Sequence, residues 1–302
     1  MGTTVILPDF VLPSRVNQRW QYSGIDSIEH CLNKDHFQSY PYSIEYVYNS
    51  RGYRDAEWPD TLDELKRAIW CFGDSFTVGV GQALEHTWPQ VLSKKLNRRI
   101  INVSMDGASN DWIYRKINRI IEIIDPMIIV VLWSYTHRTE HHCSDLDDEQ
   151  RRLLTVCRSR DQDYLHWKNL SDQLKTAKNQ IIQATIPGFH QGGSLKIDQH
   201  WDSIKGESWP CSPRTLSDLL NLPEYIKQEL MLVHGCYEHF VSALSNDASV
   251  DSIIDQKHLM TIEKDNRVIY IKHQIDSARD GHHFGPLTSE WFVDQLLTQL
   301  HL

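Results

Sequence analysis

The chain has 302 residues, with 31 Lys and Arg against 40 Asp and Glu, for a formal net charge of −9. Hydrophobic residues make up 40% and charged residues 24%, an ordinary globular profile that excludes collagen-like, disulfide-scaffold and disordered classes. The sign of the charge is wrong for a protein that grips phosphates, so no nucleic-acid partner is expected, and no run approaches the ~20 apolar residues of a membrane span.

A chain of this length buries roughly three quarters of its unfolded surface, so it needs no metal or disulfide staple. Its six cysteines form no CxxC pair, which points to reduced thiols. The opening MGTTVILPDFVLPSR lacks a basic stretch followed by an apolar one, so no signal peptide is expected and the default location is cytoplasmic.

Residues 1–65 are irregular and rich in Tyr, Ser, Asn and Asp; they read as an N-terminal extension wrapped on the core. The texture changes at residue 66, where a domain running to 302 begins. Ala68 to Phe72 is a short apolar run ended by Gly73, the pattern of a buried strand. A glycine-punctuated turn follows, then a helical stretch from about Glu85 to Leu96. Arg99 to Val103 is a second strand, closed by a turn at Asp106-Gly107. Asn110 or Asp111 is suited to cap a helix whose Ile113, Ile117, Ile120, Ile121 and Ile124 recur at helical spacing. Asp125-Pro126 stops it. Met127 to Trp133 is apolar throughout, as a central parallel strand buried on both faces should be. Gln180 to Ile186 and Arg267 to Ile271 are two further strands, and Trp291 to Leu300 is a closing helix. Inserts at about 140–178 and 187–266 carry further helices, one near 223–244. The strand–helix rhythm predicts right-handed βαβ units: a three-layer α/β/α fold around a parallel sheet of about five strands.

After the first strand the chain reads Gly73-Asp74-Ser75-Phe76-Thr77-Val78-Gly79. A serine just past the carboxyl end of a parallel strand sits where open α/β sheets place their ligands. The free N–H groups of the helix that follows favour an oxyanion beside it. Near the other end the chain reads Asp280-Gly281-His282-His283. Asp280 and His283 are three residues apart, a spacing that lets the carboxylate orient the imidazole and fix which ring nitrogen faces a nucleophile.

This pair of motifs, in this order, resembles the SGNH/GDSL hydrolase superfamily. The resemblance implies a flavodoxin-like hydrolase fold, with Ser75 as nucleophile, His283 as general base and then acid, and Asp280 as the group that orients it. Asn102-Val103-Ser104-Met105-Asp106-Gly107 resembles the second block of the family, which implies that Gly107 N–H joins Ser75 N–H in an oxyanion hole. Asn49-Ser50-Arg51-Gly52-Tyr53-Arg54 looks like a lead-in segment of some members. The third block departs from the pattern. The family has GxND at the end of the third strand, where its Asn completes the oxyanion hole, whereas this chain has Trp133-Ser134-Tyr135-Thr136. Asn110 is the candidate replacement donor, with Thr136 and Ser134 as alternatives.

Other signals are subordinate. Gly79-Val80-Gly81 begins a GxGxxG loop but Leu84 ends the match, and the serine turn already explains the glycines. His137, His141, His142 and Cys143, with Glu140, would bind zinc only if they converged; a polar helix start at the rim of the site is the favoured reading. No cofactor and no metal are expected. Arg138 is either a contact for an anionic substrate group or a solvated arginine, and Trp88 is expected in the core.

The function expected is hydrolysis of a short-chain ester, of which acetyl is the first choice, through an acyl-enzyme. Acidic charge and aromatic content favour a small-molecule or polysaccharide ester over a lipid. An acyltransferase would use the same residues. The alternative is an SGNH-fold binding or structural module of weak or no activity, such as a bacteriophage virion or tail component, and with it assembly into a virion or homo-oligomer.

Overall fold

The runs Ile69–Gly73 (β3), Ile100–Ser104 (β4) and Ile128–Trp133 (β5) are buried at every position, which only a sheet covered on both faces permits. With Gln180–Thr185 (β6) and Val268–Tyr270 (β7) they form one five-stranded sheet in the order β4-β3-β5-β6-β7. Every pairing in it is parallel, with Ile69 opposite both Ile100 and Ile128. The computed structural model describes residues 5–31, 37, 40, 42–136, 138–140, 160–189 and 268–300.

Alternation along the strands divides the apolar side chains between two cores. On one face Trp70, Phe72, Val103, Ile129, Val131 and Trp133 pack with Trp112, Ile113, Ile117 and Ile120. These come from the helix Asn110–Ile123, and Tyr164, Trp167 and Leu170 of the helix Arg160–Leu174 join them. On the other face Ile69, Cys71, Ile128, Val130, Leu132 and Ala184 meet Trp88 and Leu92 of the helix Trp88–Leu96 and Phe292, Val293 and Leu296 of the helix Pro286–Gln299. This is the three-layer architecture that the strand–helix rhythm predicts. Trp88 is fully buried against Phe292, so it is a core residue; truncating a Trp of this kind costs about 3–5 kcal/mol.

Leu7, Phe10, Leu12, Tyr53 and Trp58 belong to the first of these cores. The N-terminal segment also has a short antiparallel ladder of Arg19–Trp20 (β1) with Tyr46–Val47 (β2) and the helices Ile28–Cys31 (α1) and Leu62–Arg67 (α2). The later helices are Ser75–Val78 (α3), Trp88–Leu96 (α4), Asn110–Ile123 (α5), Arg160–Leu174 (α6) and Pro286–Gln299 (α7).

Some boundaries differ from the periodicity. The stretch expected as one helix from Glu85 is a 3-10 turn, Leu84–His86, followed by α4, with Pro89 in the first turn of the helix. The cap of α5 is Ser109, whose hydroxyl accepts from Trp112 N–H at 3.0 Å, and not Asn110 or Asp111. The helices expected near 223–244, and the group His137, His141, His142 and Cys143, lie outside the described residues. Among the described residues no helix is long and apolar enough to cross a membrane.

Candidate active site

Ser75 is the first residue of α3, immediately past the carboxyl end of β3. Asp74 caps that helix by accepting from Phe76 N–H at 3.0 Å. Its other carboxylate oxygen accepts from the Ser134 hydroxyl at 2.6 Å and from Arg138 at 3.1 Å. The turn is closed from below by Gly79 N–H and Val80 N–H on the Ser75 carbonyl, at 3.0 and 3.1 Å.

The second arm lies after β7. Asp276 caps α7 by accepting from Leu287 and Thr288 N–H at 3.1 and 2.8 Å. The chain between Ser277 and Phe284 therefore folds back on itself, joined by a bridge between those two residues. Asp280 sits in that loop and accepts from the backbone N–H of His282 and His283 at 2.8 and 3.0 Å.

These two arms meet. Ser75 Oγ lies 2.7 Å from His283 Nε2, and His283 Nδ1 is hydrogen-bonded to Asp280 Oδ2. All three residues are buried. Burial pushes the Asp280 carboxyl up, but His283 and the hydrogen bonds it receives outweigh this and hold it at about 2. A carboxylate ionised in this way is acceptor-only, so Nδ1 must carry the proton. Neutral His283 then presents a free lone pair at Nε2 to the Ser75 hydroxyl. Burial lowers the imidazole, and the charge and hydrogen bond of Asp280 more than reverse this, leaving His283 above its ordinary value.

His282, one residue away, faces elsewhere: its Nε2 is 3.1 Å from the Tyr135 hydroxyl. Phe76 packs between these groups, with its ring centroid 4.6 Å from that of His283 and 5.4 Å from that of His282.

Gly107 lies in the turn after β4 with φ of 73°, and a Cβ there would meet nothing within 4 Å. Among the described residues neither Ser75 N–H nor Gly107 N–H makes a backbone hydrogen bond.

The three side-chain candidates for the oxyanion hole are placed differently. Asn110 is fully buried. Its amide nitrogen donates to the carbonyls of Ser134 and Tyr135 at 3.2 and 2.9 Å, and its oxygen accepts from Ser134 N–H at 3.0 Å. Both amide hydrogens are thus used at the end of β5. The Ser134 hydroxyl is spent on Asp74, and Thr136 Oγ1 points at the Phe189 carbonyl, 3.4 Å away. Arg138 is not simply solvated: it pairs with Asp74 and lies over the Tyr135 ring at 5.2 Å.

Two contributors carry little signal in the sequence. A Cβ on Gly81, at φ of 77°, would lie 2.8 Å from Ala278 Cβ and 3.0 Å from Arg279 N, so this glycine lets the serine loop and the acid–base loop touch. Asn102 reaches from β4 to the Thr77 carbonyl at 3.3 Å.

No protein-family model matches the sequence, and no curated protein matches it. Solved structures similar in fold include a lipolytic protein of the G-D-S-L family from Desulfitobacterium hafniense, at 11% identity and a TM-score of 0.39 over 77% of this chain and 99% of that one. The esterase EstA from Pseudoalteromonas is 12% identical, with a TM-score of 0.37 over 77% of this chain and 96% of that one. A family two carbohydrate esterase from Clostridium thermocellum, in complex with cellohexaose, is 12% identical, with a TM-score of 0.35 over 81% of this chain and 67% of that one.

Proposed function

We propose that this chain is a serine ester hydrolase of the SGNH type. The observation that carries the reading is the buried relay from Ser75 Oγ to His283 Nε2, 2.7 Å, and from His283 Nδ1 to Asp280. Ser75 attacks the ester carbonyl while Nε2 takes the hydroxyl proton. Asp280 stabilises the imidazolium that forms. Negative charge develops on the former carbonyl oxygen, which Ser75 N–H and Gly107 N–H receive. His283 returns its proton to the departing alkoxide, leaving an acyl-serine. Water, activated by the same nitrogen, then releases the acid.

The substrate is a short acyl ester, acetyl first, borne by a carbohydrate or other small polar alcohol. The acidic charge of the chain and its aromatic content support this over a lipid. Hydrolysis of p-nitrophenyl acetate by the purified chain, with Ser75→Ala alongside, tests the reading. Turnover that survives in Ser75→Ala removes it.

One observation favours a second reading, a binding or assembly module of low activity on the same scaffold. Asn110, Ser134 and Thr136 are all engaged elsewhere, so none of these three candidates joins the backbone donors, and one lost donor costs about 3 kcal/mol of transition-state stabilisation. No turnover of the activated ester by a correctly folded wild-type chain, together with stable assembly into a larger particle, supports that alternative.

A further inference from the structure

Arg54 belongs to the lead-in segment and is 1% exposed. Among the described residues its guanidinium makes no salt bridge. The donors of both its terminal nitrogens go to main-chain carbonyls instead, while Nε is buried without a partner among the described residues. Nη1 donates to Val78 and Gly79, at 3.1 and 2.6 Å, and Nη2 to Gln82 and Glu45, at 2.7 and 3.3 Å. The guanidinium carbon lies over the Tyr46 ring, 4.2 Å from its centroid. Burying a charge without a counter-charge is costly. Val78 and Gly79 are the last residue and the C-cap of α3, the four-residue helix that begins with Ser75.

The grip continues to the other arm of the site. The Tyr46 hydroxyl accepts from Gly81 N–H and donates to Asp26, both at 2.6 Å. Asp26 accepts two hydrogen bonds from Arg279, at 2.7 and 2.6 Å. Arg279 immediately precedes Asp280, and its own N–H donates to Gly81 O at 2.9 Å. Asp26, Tyr46 and Arg54 thus tie the loop 78–82 to the turn that carries Asp280 and His283.

We infer that Arg54 is a positioning residue for the nucleophile, holding the far end of α3 so that Ser75 Oγ stays in reach of His283 Nε2. The inference rests on the serine-hydrolase reading for its chemistry. A bidentate planar donor is needed to hold adjacent carbonyls, so lysine should not replace it.

The test is the rate at which a small fluorophosphonate labels Ser75, measured well below the melting temperature of each variant. The variants are Arg54→Gln, Arg54→Lys and a control, Arg51→Met. Arg51 lies in the same segment but contacts the Leu7 carbonyl and the Trp58 ring. Folded Arg54→Gln and Arg54→Lys should label about a hundredfold more slowly, while Arg51→Met labels at the wild-type rate. Wild-type labelling rates in the folded Arg54 variants overturn the inference, and so does equal slowing in Arg51→Met. If these two variants do not fold, Arg54→Met and Arg54→His, which keep bulk over the Tyr46 ring and lose the paired donors to Val78 and Gly79, take their place with the same two outcomes. If the wild type is not labelled, the hydrolase reading fails. A crystal structure of Arg54→Gln then decides the positioning: a Ser75–His283 separation beyond hydrogen-bond reach upholds it and an unchanged one overturns it.

Discussion

Asn110 and Ser134 hold each other by their polar groups: Asn110 Oδ1 accepts from Ser134 N–H at 3.0 Å while its amide nitrogen donates to the Ser134 carbonyl at 3.2 Å. The side-chain amide behaves as one more residue of a neighbouring strand, and it satisfies backbone groups at the point where β5 leaves the sheet.

Replacing Asn110 by Ala should therefore act on stability. It strands buried donors and acceptors, a loss of about 2–4 kcal/mol. Turnover per folded molecule should stay within about threefold, since a donor in the oxyanion hole would cost a hundredfold or more. Ser109→Ala removes the helix cap and the hydrogen bond to Glu140 and should cost about 1 kcal/mol. Chemical denaturation and kinetics on the same preparations check both.

Ser75→Ala should lower turnover of an activated acetate by about 10⁴-fold or more. The mutation removes one hydroxyl that has a single side-chain partner, so the melting temperature should change little.

The two adjacent histidines should separate cleanly. His283→Ala loses the nitrogen facing Ser75 and should be inactive. His282→Ala loses the contacts with Tyr135 and Phe76 but not the nitrogen that faces Ser75, and should retain much of its rate. Parallel kinetics with p-nitrophenyl acetate decide between them, and the reverse ranking would reassign the base.

The catalytic base must be neutral, so kcat/KM should rise with pH. Because Asp280 holds His283 above its ordinary value, the midpoint should lie above about 6.5. Asp280→Asn removes that support and leaves burial, so the midpoint should fall along with the rate. Stability follows the opposite rule for the two partners. The contribution of His283 is complete below its unfolded pKa and fades as pH rises through the raised folded value. That of Asp280 is present above its ordinary value of 3.8 and is lost as pH falls towards about 2. Unfolding midpoints of the wild type and the two variants across this range test the pairing.

Gly81→Ala should be harmful at a distance from the serine. The positive φ costs about 1–3 kcal/mol, and the new methyl pushes on Ala278 and Arg279. Turnover should fall with stability, in contrast to Asn110→Ala.

Much of the fold was legible because β3, β4 and β5 are buried on both faces and so read as unbroken apolar runs. Ser75, Asp280 and His283 were legible because short motifs place them. The cap of α5 was misjudged because Ser109, Asn110 and Asp111 are adjacent and all three suit a helix start; only the structure shows that Asn110 turns inward to β5. Arg54 stood in a segment that the sequence marks, but its partners were invisible for a different reason. Its partners are carbonyl groups, which every residue has, so no pattern of side chains announces them. Gly81 was explained away by the serine turn, whereas its real constraint is a loop two hundred positions later.

The hydrogen bond between Ser75 and His283 spans 208 positions, and the pair of Asp26 with Arg279 spans 253. During synthesis Ser75, its helix and all five strands of the parallel sheet are made before Asp280 and His283 exist. Contacts so distant form late, because the loop they close must first lose its freedom. A ribosome-bound chain can therefore hold a nearly finished sheet and still be inert. Such a chain cannot bring Ser75 and His283 together until Arg279, Asp280 and His283 have folded back onto the segments made first.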